Sequence, residues 1–500
     1  MARRPEPFTE LDLDPKRARV LVDAAADIYQ EYLERLPSLP VDRRRTTGEI
    51  RDLVAIDIPE EGMSDTALFD HLRTLVFDAA MYPGHPGFMA YIVGSGTVPG
   101  AMADLLAAGI NQNVGGWRLG PGATEIELHL MDWFARRFGL PKEAGGIVTS
   151  GGSMANFIAL KVARDRKLGL ETRERGLGDA RLVAYTSDEV HFATTRAADM
   201  LGLGTDAVRL VPTDDEFKLD VAATEERIRA DLDAGRKPFA VIASLGTVAT
   251  GAIDPIPEIA GLCERYDLWM HVDAAYGGSA VLADDLRPRL AGVEAAHSIA
   301  FDPHKWMYTP QSGGVVLVRN LQWLADSFAA HATYVHEDKE LTGRGLDLGM
   351  MGPQLSRSFW ALKIFVSLLV HGTRAYGTRI SHDAALARYL AERVDELDDL
   401  EAMAPVELSI CCFRYVPTDL PAGEGRDEYL DLLNERLMAE VQMDGRTYYS
   451  NAVLNDRFVL RCCIVNHRTE AGHIDQVVDV TRELGAKLDR ELRPEHFTAV

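Results

Sequence analysis

Lys305, in the segment FDPHKWMYTP at 301–310, stands out chemically because it has no obvious route to water. A strand-like stretch, HSIAF, precedes it, and an apolar run, Trp306-Met307-Tyr308, follows it. An ammonium in this position either pairs with an acid or loses its proton, because burial lowers the pKa of an unpaired lysine. A deprotonated lysine is an amine nucleophile, so the rest of the chain would then have to supply an electrophile.

Three further sites stand where apparent strands end, which is where ligands collect in α/β sheets. In IVTSGGSMAN, Gly152 and Ser153 separate a strand from a helix, so N–H groups and the Ser153 hydroxyl can bind phosphate. In LWMHVDAAYGG, Asp273 can hold a protonated ring nitrogen, and Ala275 leaves room for a flat ring. His191, in DEVHFATTRAADML, can lie on an aromatic cofactor. Each site also has an ordinary alternative, as a helix cap, an ion pair or a structural histidine.

Together these groups define one ligand. Pyridoxal 5′-phosphate has an aldehyde for the lysine, a ring nitrogen for the aspartate and a phosphate for the glycine turn. The cofactor would therefore be the electrophile that Lys305 requires. The ordinary alternatives would need independent coincidences in this order along the chain.

The elements that must position these residues repeat the order strand, turn, helix. From 96 to 375, short apolar runs alternate with longer amphipathic segments, which predicts a large cofactor-binding domain with a mostly parallel sheet. Residues 1–95 are predicted to form a helical arm, and residues 376–500 a smaller α+β domain. The predicted fold class is α/β.

Composition and charge exclude several kinds of partner. The 500 residues carry a net charge of −23 without a basic block, which argues against nucleic acid and anionic membranes. No signal peptide is evident, and the apolar stretch at 359–370 is too short to span a bilayer. The five cysteines fit no zinc spacing and are predicted to be reduced core thiols. We therefore expect no metal and a cytoplasmic location.

On these residues the chain resembles the pyridoxal-phosphate-dependent group II amino acid decarboxylases of fold type I, with HVDAAY and DPHKW as the most specific segments. The resemblance extends from HPGFMAY at 85–91 to RFVLRCCIV at 457–465. It implies that Lys305 binds the cofactor covalently, Asp273 pairs with the pyridine nitrogen and His191 stacks on the ring. It also implies an obligate homodimer with the active site at the subunit interface.

The same resemblance assigns roles to further residues. Tyr334, in ATYVHE at 332–337, would lie on a mobile catalytic loop and protonate the substrate carbon after CO₂ leaves. Arg461 would lie near the substrate carboxylate, and His85 and Tyr91 would also bind substrate. The remaining cofactor contacts would be Thr247, Asp302 and His304.

Two positions depart from the family pattern. Asp302 stands where relatives often have Asn, so it would place an acid near the phosphate unless it faces away or accepts from backbone N–H groups. Val248 in GTVATG stands where relatives often have Thr, although Thr247 remains.

An aromatic or otherwise apolar L-amino acid is the favoured substrate. HPGFMAYIVGSG would line the side-chain pocket with apolar residues and no cation, so a second carboxylate would lose its hydration at a cost of several kcal/mol. The apolar residues are Phe88, Met89, Tyr91, Ile92 and Val93. NQN at 111–113 and Arg118 favour the alternative of glutamate, aspartate or cysteine sulfinate.

Other activities stay open on the sequence. Aminotransferases and other fold type I enzymes share the lysine, the aspartate and the phosphate turn. Relatives with phenylalanine at the loop tyrosine tend to be aldehyde synthases, so Tyr334 argues against that activity. A non-catalytic cofactor-binding protein is a further alternative, which the intact set of site residues disfavours.

Overall fold

A seven-stranded sheet forms the centre of the chain in the computed structural model, which describes residues 11–330 and 345–497. The strand order is β2-β8-β7-β6-β5-β3-β4, and only β8 runs antiparallel to its neighbours. The prediction of a mostly parallel sheet is therefore confirmed. Its strands are β2 (Gly145–Thr149), β3 (Leu182–Ser187), β4 (Val208–Val211), β5 (Lys237–Ser244), β6 (Trp269–Asp273), β7 (Ser298–Phe301) and β8 (Gly314–Val318).

The central strands are apolar almost throughout because helices cover both faces of the sheet. Every residue of β2, β3, β6, β7 and β8 is buried, as are seven of the eight residues of β5. Helices within this part of the chain are Val98–Ile110, Pro121–Arg137, Gly152–Leu168, Thr172–Arg175, Ala193–Met200, Val221–Asp233, Ile256–Tyr266 and Gln322–Phe328.

The N-terminal part of the described chain is helical, as the sequence predicts. Its helices are Pro15–Arg35, Thr47–Val54 and Asp65–Phe77. Local side chains fix where they begin: Asp14 accepts from two N–H groups of the first helix, and Thr46 forms a capping box with Glu49.

A second, five-stranded sheet has the order β1-β11-β12-β10-β9. Its strands are β1 (Phe88–Met89), β9 (Leu400–Ala402), β10 (Ile410–Tyr415), β11 (Tyr448–Leu454) and β12 (Arg457–Cys463). The short strand β1 lies within the predicted helical arm and pairs in parallel with β11. This pairing brings the segment after residue 88 to the C-terminal part of the chain.

Three long helices accompany the second sheet, namely Ala361–Asp395, Arg426–Asp444 and Ala471–Leu492. The first of them contains a non-helical residue, Gly372 (φ 73°, ψ 156°), and continues through the predicted boundary at 375/376. The three predicted domain limits stay a prediction. Among the described residues, no helix is long and apolar enough to cross a membrane.

Short 3₁₀ helices connect these elements. They are Leu36–Ser38, Trp117–Leu119, Thr205–Ala207, Gly277–Leu282, Arg287–Leu290, Val293–Ala295, Leu348–Met350 and Glu495–Phe497.

Candidate active site

A cavity of about 740 Å³ lies at the carboxyl ends of the parallel strands. Its lining includes Ser244 at the end of β5, Asp273 at the end of β6 and the turn at 150–153 after β2. Lys305 and His191 line the same cavity. The four strand-end sites selected from the sequence therefore meet in one place.

Lys305 is paired rather than isolated. Its Nζ lies 3.0 Å from Oδ2 of Asp302, which is 2% exposed. Of the two alternatives that the sequence left for this lysine, the structure shows the ion pair. Asp302 thus faces the lysine, and its second oxygen, Oδ1, has no hydrogen-bond partner among the described residues.

The glycine turn leads directly into the helix Gly152–Leu168. A Cβ atom at Gly152 would lie 2.8 Å from Asp302 Oδ2 and 3.2 Å from the Cβ of Ala275, so no larger residue fits without a shift. The first N–H groups of a helix have no partner within the helix and bind anions. A turn with free N–H groups and the Ser153 hydroxyl at a helix N-terminus suits a phosphate group.

Asp273 is held by two N–H donors. Asn156 Nδ2 donates to Asp273 Oδ2 at 2.8 Å, and the Ala275 N–H donates to Oδ1 at 3.0 Å. The two bonds fix the orientation of the carboxylate at the end of β6, where it lines the cavity. Sequence reasoning missed Asn156, although it stands four residues after Gly152 and hence on the same helix face.

His191 is a half-buried residue beside these groups. Burial lowers the pKa of its imidazole, and the charge of Asp273 opposes this effect. Its Nδ1 accepts from the Ala193 N–H at 3.1 Å, which helps to orient the ring. An imidazole that lines the cavity is suited to lie on an aromatic ring.

The remaining predicted cofactor contacts also line the cavity. Thr247 Oγ1 accepts from the Ala252 N–H at 3.1 Å and so orients its own loop. His304 Nδ1 lies 2.7 Å from the carbonyl oxygen of Gly313, and burial lowers the pKa of this histidine. Ala275 and Val248 complete this part of the wall.

Arg461 lines the cavity and is held by two backbone carbonyl groups. Its Nε donates to Ala249 O at 2.9 Å and its Nη1 to Tyr91 O at 3.1 Å. Its Nη2 has no partner among the described residues although the side chain is 3% exposed. A buried guanidinium with an unpaired N–H group suits a carboxylate.

Tyr91 lies at the rim of the cavity, where it is 55% exposed. Its backbone is in the left-handed region (φ 56°), and its N–H donates to Ser450 Oγ at 3.3 Å. Ser450 belongs to β11 and was not selected from the sequence, because nothing in the local pattern links it to residue 91.

Several residues expected around the substrate lie elsewhere. His85 is absent from the cavity lining, is 6% exposed and accepts the Gly87 N–H through Nδ1 at 2.9 Å. Phe88 and Met89 are buried because β1 belongs to the second sheet, and of the five apolar residues only Tyr91 and Ile92 line the cavity. Substrate binding by His85 stays a prediction.

Tyr334 lies outside the described residues. The alternative features for acidic substrates, 111–113 and Arg118, are described but do not line the cavity.

Glu189 is a cavity residue that sequence reasoning missed. Burial raises the pKa of its carboxyl to about 7, and the charge of Asp188 adds to the effect. The signal was present in the segment DEVH, two residues before His191. Within the described ranges, no group of three or more His, Cys, Asp or Glu side chains could hold a metal ion.

Comparison with known proteins supports the same cofactor. The family model described as pyridoxal-dependent decarboxylase conserved domain matches residues 48–416. The chain is 34% identical over 468 residues to an aromatic-L-amino-acid decarboxylase of Bacillus atrophaeus, covering 94% of this chain and 95% of the relative. It is 31% identical over 500 residues to a tyrosine decarboxylase of Oryza sativa subsp. japonica, covering 97% and 93%.

Solved structures of decarboxylases share the fold of this chain. The crystal structure of Oryza sativa TDC with PLP and tryptamine superimposes with a TM-score of 0.89 at 28% identity, covering 95% of this chain and 99% of that one. The crystal structure of mouse CSAD superimposes with a TM-score of 0.88 at 25% identity, with the same coverage.

Proposed function

Because the chain belongs to the pyridoxal-dependent decarboxylases and is an amino acid carboxy-lyase that uses pyridoxal 5′-phosphate, we propose that its substrate is an aromatic L-amino acid. The charge of the cavity carries this proposal. Its described lining has four acids and only two cations, Lys305 and Arg461. The acids are Asp188, Glu189, Asp273 and Asp302.

An acidic side chain would fit this cavity poorly. Lys305 would be engaged by the cofactor and Arg461 by the carboxylate that every amino acid carries, so no third cation of the described lining is left for it. A carboxylate buried without a partner is strongly disfavoured. The named relatives include decarboxylases of aromatic amino acids and of tyrosine, which agrees with this reasoning.

The bound cofactor supplies an aldehyde that bonds to amines and a ring that withdraws electrons from the bond to be broken. We propose that Lys305 holds the aldehyde covalently and that the helix start at Gly152 and Ser153, with His304, holds the phosphate. Asp273 would pair with the ring nitrogen, and His191, Thr247 and Ala275, which line the same cavity, would contact the ring.

Arg461, one of the two cations of the described lining, would orient the substrate by donating to its carboxylate. Because Nε and Nη1 are already fixed by Ala249 O and Tyr91 O, the guanidinium cannot rotate freely toward other partners. We further propose that Tyr334 delivers the proton to the substrate carbon once CO₂ has left.

A homodimer is part of the proposal. The helix Val98–Ile110 exposes a row of large apolar side chains, which isolated soluble chains rarely leave in water. They are Val98, Met102, Leu105, Leu106 and Ile110, each at least 45% exposed. A second copy would cover this row, and sedimentation of the holoenzyme should give twice the chain mass. Five cysteines without a disulfide agree with a cytoplasmic location.

The test is a substrate panel with purified enzyme and added cofactor. CO₂ and amine are followed for phenylalanine, tyrosine, tryptophan and dihydroxyphenylalanine, and for glutamate, aspartate and cysteine sulfinate. We expect turnover of at least one aromatic substrate and none of the acidic ones, with Lys305→Ala as the inactive control. Preference for an acidic substrate contradicts the assignment, and aldehyde with peroxide in place of amine indicates an aldehyde synthase.

A further inference from the structure

A chain of buried hydrogen bonds ends on Asp273. Asn156 Nδ2 donates to Asp273 Oδ2 at 2.8 Å, and Asn156 Oδ1 lies 2.6 Å from His271 Nε2. His271 Nδ1 lies 2.8 Å from Ser298 Oγ, which also accepts from Trp269 Nε1 at 2.8 Å. Asn156 is 2% exposed, and both His271 and Ser298 are 0% exposed. Water therefore does not compete for these groups.

The direction of every bond follows from the chemistry of the groups. An ionised carboxylate only accepts, so the Asn156 amide must turn its NH₂ toward Asp273 and its oxygen toward His271. His271 Nε2 must then carry a proton. Burial lowers the pKa of His271 to about 4, so the ring is neutral and Nδ1 accepts from the Ser298 hydroxyl. The indole N–H of Trp269 completes the chain as a donor.

The fold explains why these residues meet. Trp269, His271 and Asp273 alternate along β6 and therefore point to one face of the sheet. Ser298 is the partner of His271 in the register of β6 with β7. The helix Gly152–Leu168, which contacts β6, delivers Asn156 to that face.

We propose that Asn156 and His271 are positioning residues for the cofactor, which hold the Asp273 carboxylate oriented toward the ring nitrogen. The inference rests on the proposed role of Asp273. Asn156 binds one oxygen of Asp273 while the Ala275 N–H binds the other, so rotation of the carboxylate would break both bonds. His271 acts on Asp273 indirectly, through its hydrogen bond with Asn156. Without its Nε2–H, the Asn156 amide could turn its oxygen toward Asp273, where it would repel the carboxylate.

The test compares two cofactors that differ only at the ring nitrogen. Apoenzyme is titrated with pyridoxal 5′-phosphate and with 1-deazapyridoxal 5′-phosphate, which carries a C–H group in place of that nitrogen. The ratio of the two dissociation constants isolates the contact with Asp273 from phosphate and aldehyde binding. We expect wild type to prefer pyridoxal phosphate, and Asn156→Ala to reduce that preference by about tenfold, the effect of a hydrogen bond to a charged group.

Two substitutions of His271 separate positioning from packing. His271→Leu removes the donor and should reduce the preference severalfold, whereas His271→Gln keeps an amide N–H that can reach Asn156 and should retain most of it. Asn434→Ala is the matched control, because Asn434 is 0% exposed and makes three hydrogen bonds remote from the cavity. It should lower stability without changing the ratio.

The outcomes are separable. A wild-type enzyme without preference for pyridoxal phosphate would overturn the role of Asp273 and this inference with it. A preference in wild type that persists in Asn156→Ala and His271→Leu would overturn the inference alone. If circular dichroism shows that Asn156→Ala is unfolded, the comparison of His271→Leu with His271→Gln tests the inference instead. Equal ratios in these two variants would then overturn it.

Discussion

At the residue scale, the site is defined by acids that lie close to the groups that would bind anions. Asp302 is the clearest case, since it contacts Lys305 and also lies against the start of the helix at Gly152. Its carboxylate pairs with Lys305 but would repel a phosphate at the same helix start. Removal of this charge would weaken cofactor binding if the pairing with Lys305 dominates, and would strengthen it if the repulsion of phosphate dominates.

Asp302→Asn should tighten binding of pyridoxal phosphate severalfold, because it removes a like charge from the phosphate site while keeping the side-chain volume. The gain should be larger at low ionic strength, where charges are less screened. Titration of apoenzyme at two salt concentrations measures it, with Asp188→Asn as the control for a cavity acid outside the helix start. Unchanged or weaker binding would show that pairing with Lys305 outweighs the repulsion.

Glu189 predicts a pH effect on substrate binding. Its pKa of about 7 means that it is mostly neutral at pH 6 and mostly ionised at pH 8. Ionisation adds a negative charge to a cavity that must bind a substrate carboxylate, so KM should rise between these pH values. Glu189→Gln should flatten that rise and leave the pH dependence of kcat nearly unchanged. The same rise in the Gln variant would assign the effect to another group.

At the element scale, the helix Gly152–Leu168 has two tasks on one face. Its first residue leaves the backbone open for a phosphate, and Asn156, one turn later, holds Asp273. A small shift of this helix would therefore disturb both the proposed phosphate site and the proposed ring-nitrogen site. Asp302 and Ala275 leave no room for a side chain at Gly152, so glycine permits this approach of the helix start to the sheet.

Gly152→Ala should weaken cofactor binding at least tenfold, because the new Cβ would lie 2.8 Å from Asp302 Oδ2 and push the helix start away. Absorbance titration of the apoenzyme measures the loss. Gly122→Ala is the matched control, since Gly122 also lies near a helix start but has no atom within 4 Å of an added Cβ. The control should bind cofactor as wild type does, and equal loss in both variants would contradict the geometric argument.

At the scale of the whole molecule, the buried residue His85 makes the stability of the fold depend on pH. His85 lies between the N-terminal helices and β1, and burial lowers its pKa to about 4. Its carbonyl oxygen accepts from Asn466 Nδ2 at 2.7 Å, which ties this loop to the C-terminal part. Protonation of the ring would break its bond with Gly87.

His85 should make the fold sensitive to acid. The unfolded chain binds this proton at a pH near 6.5 and the folded chain only near pH 4, so stability falls as pH decreases through this interval, by at most about 3 kcal/mol. Asp254 and Asp383, with pKa values raised to about 6, act in the opposite direction, but they cancel when a variant is compared with wild type.

His85→Asn keeps an oxygen that can accept the Gly87 N–H but cannot gain a charge. Urea unfolding at pH 7.5 and pH 5 should show a smaller loss of stability in this variant than in wild type. His129→Asn, at an exposed position, is the control and should behave as wild type does. An identical acid loss in all three proteins would assign the sensitivity to other groups.

The sequence by itself determined the fold class, the cofactor and a set of strand-end residues that meet in one cavity. Alternating and continuous apolar runs are local, and the carboxyl ends of parallel strands must lie at one edge of a sheet, so Lys305, Asp273 and the glycine turn could be placed together. The motifs HVDAAY and DPHKW then identified the family.

Only the tertiary structure decided which partners these residues have. Asn156 and Asp273 are separated by 117 positions, and Tyr91 and Arg461 by 370. The pairing of Lys305 with Asp302, the burial of Phe88 and Met89 and the chain through His271 depend on how helices pack on the two sheets. Such contacts arise from side-chain packing between distant segments, so the local periodicity of the sequence does not predict them.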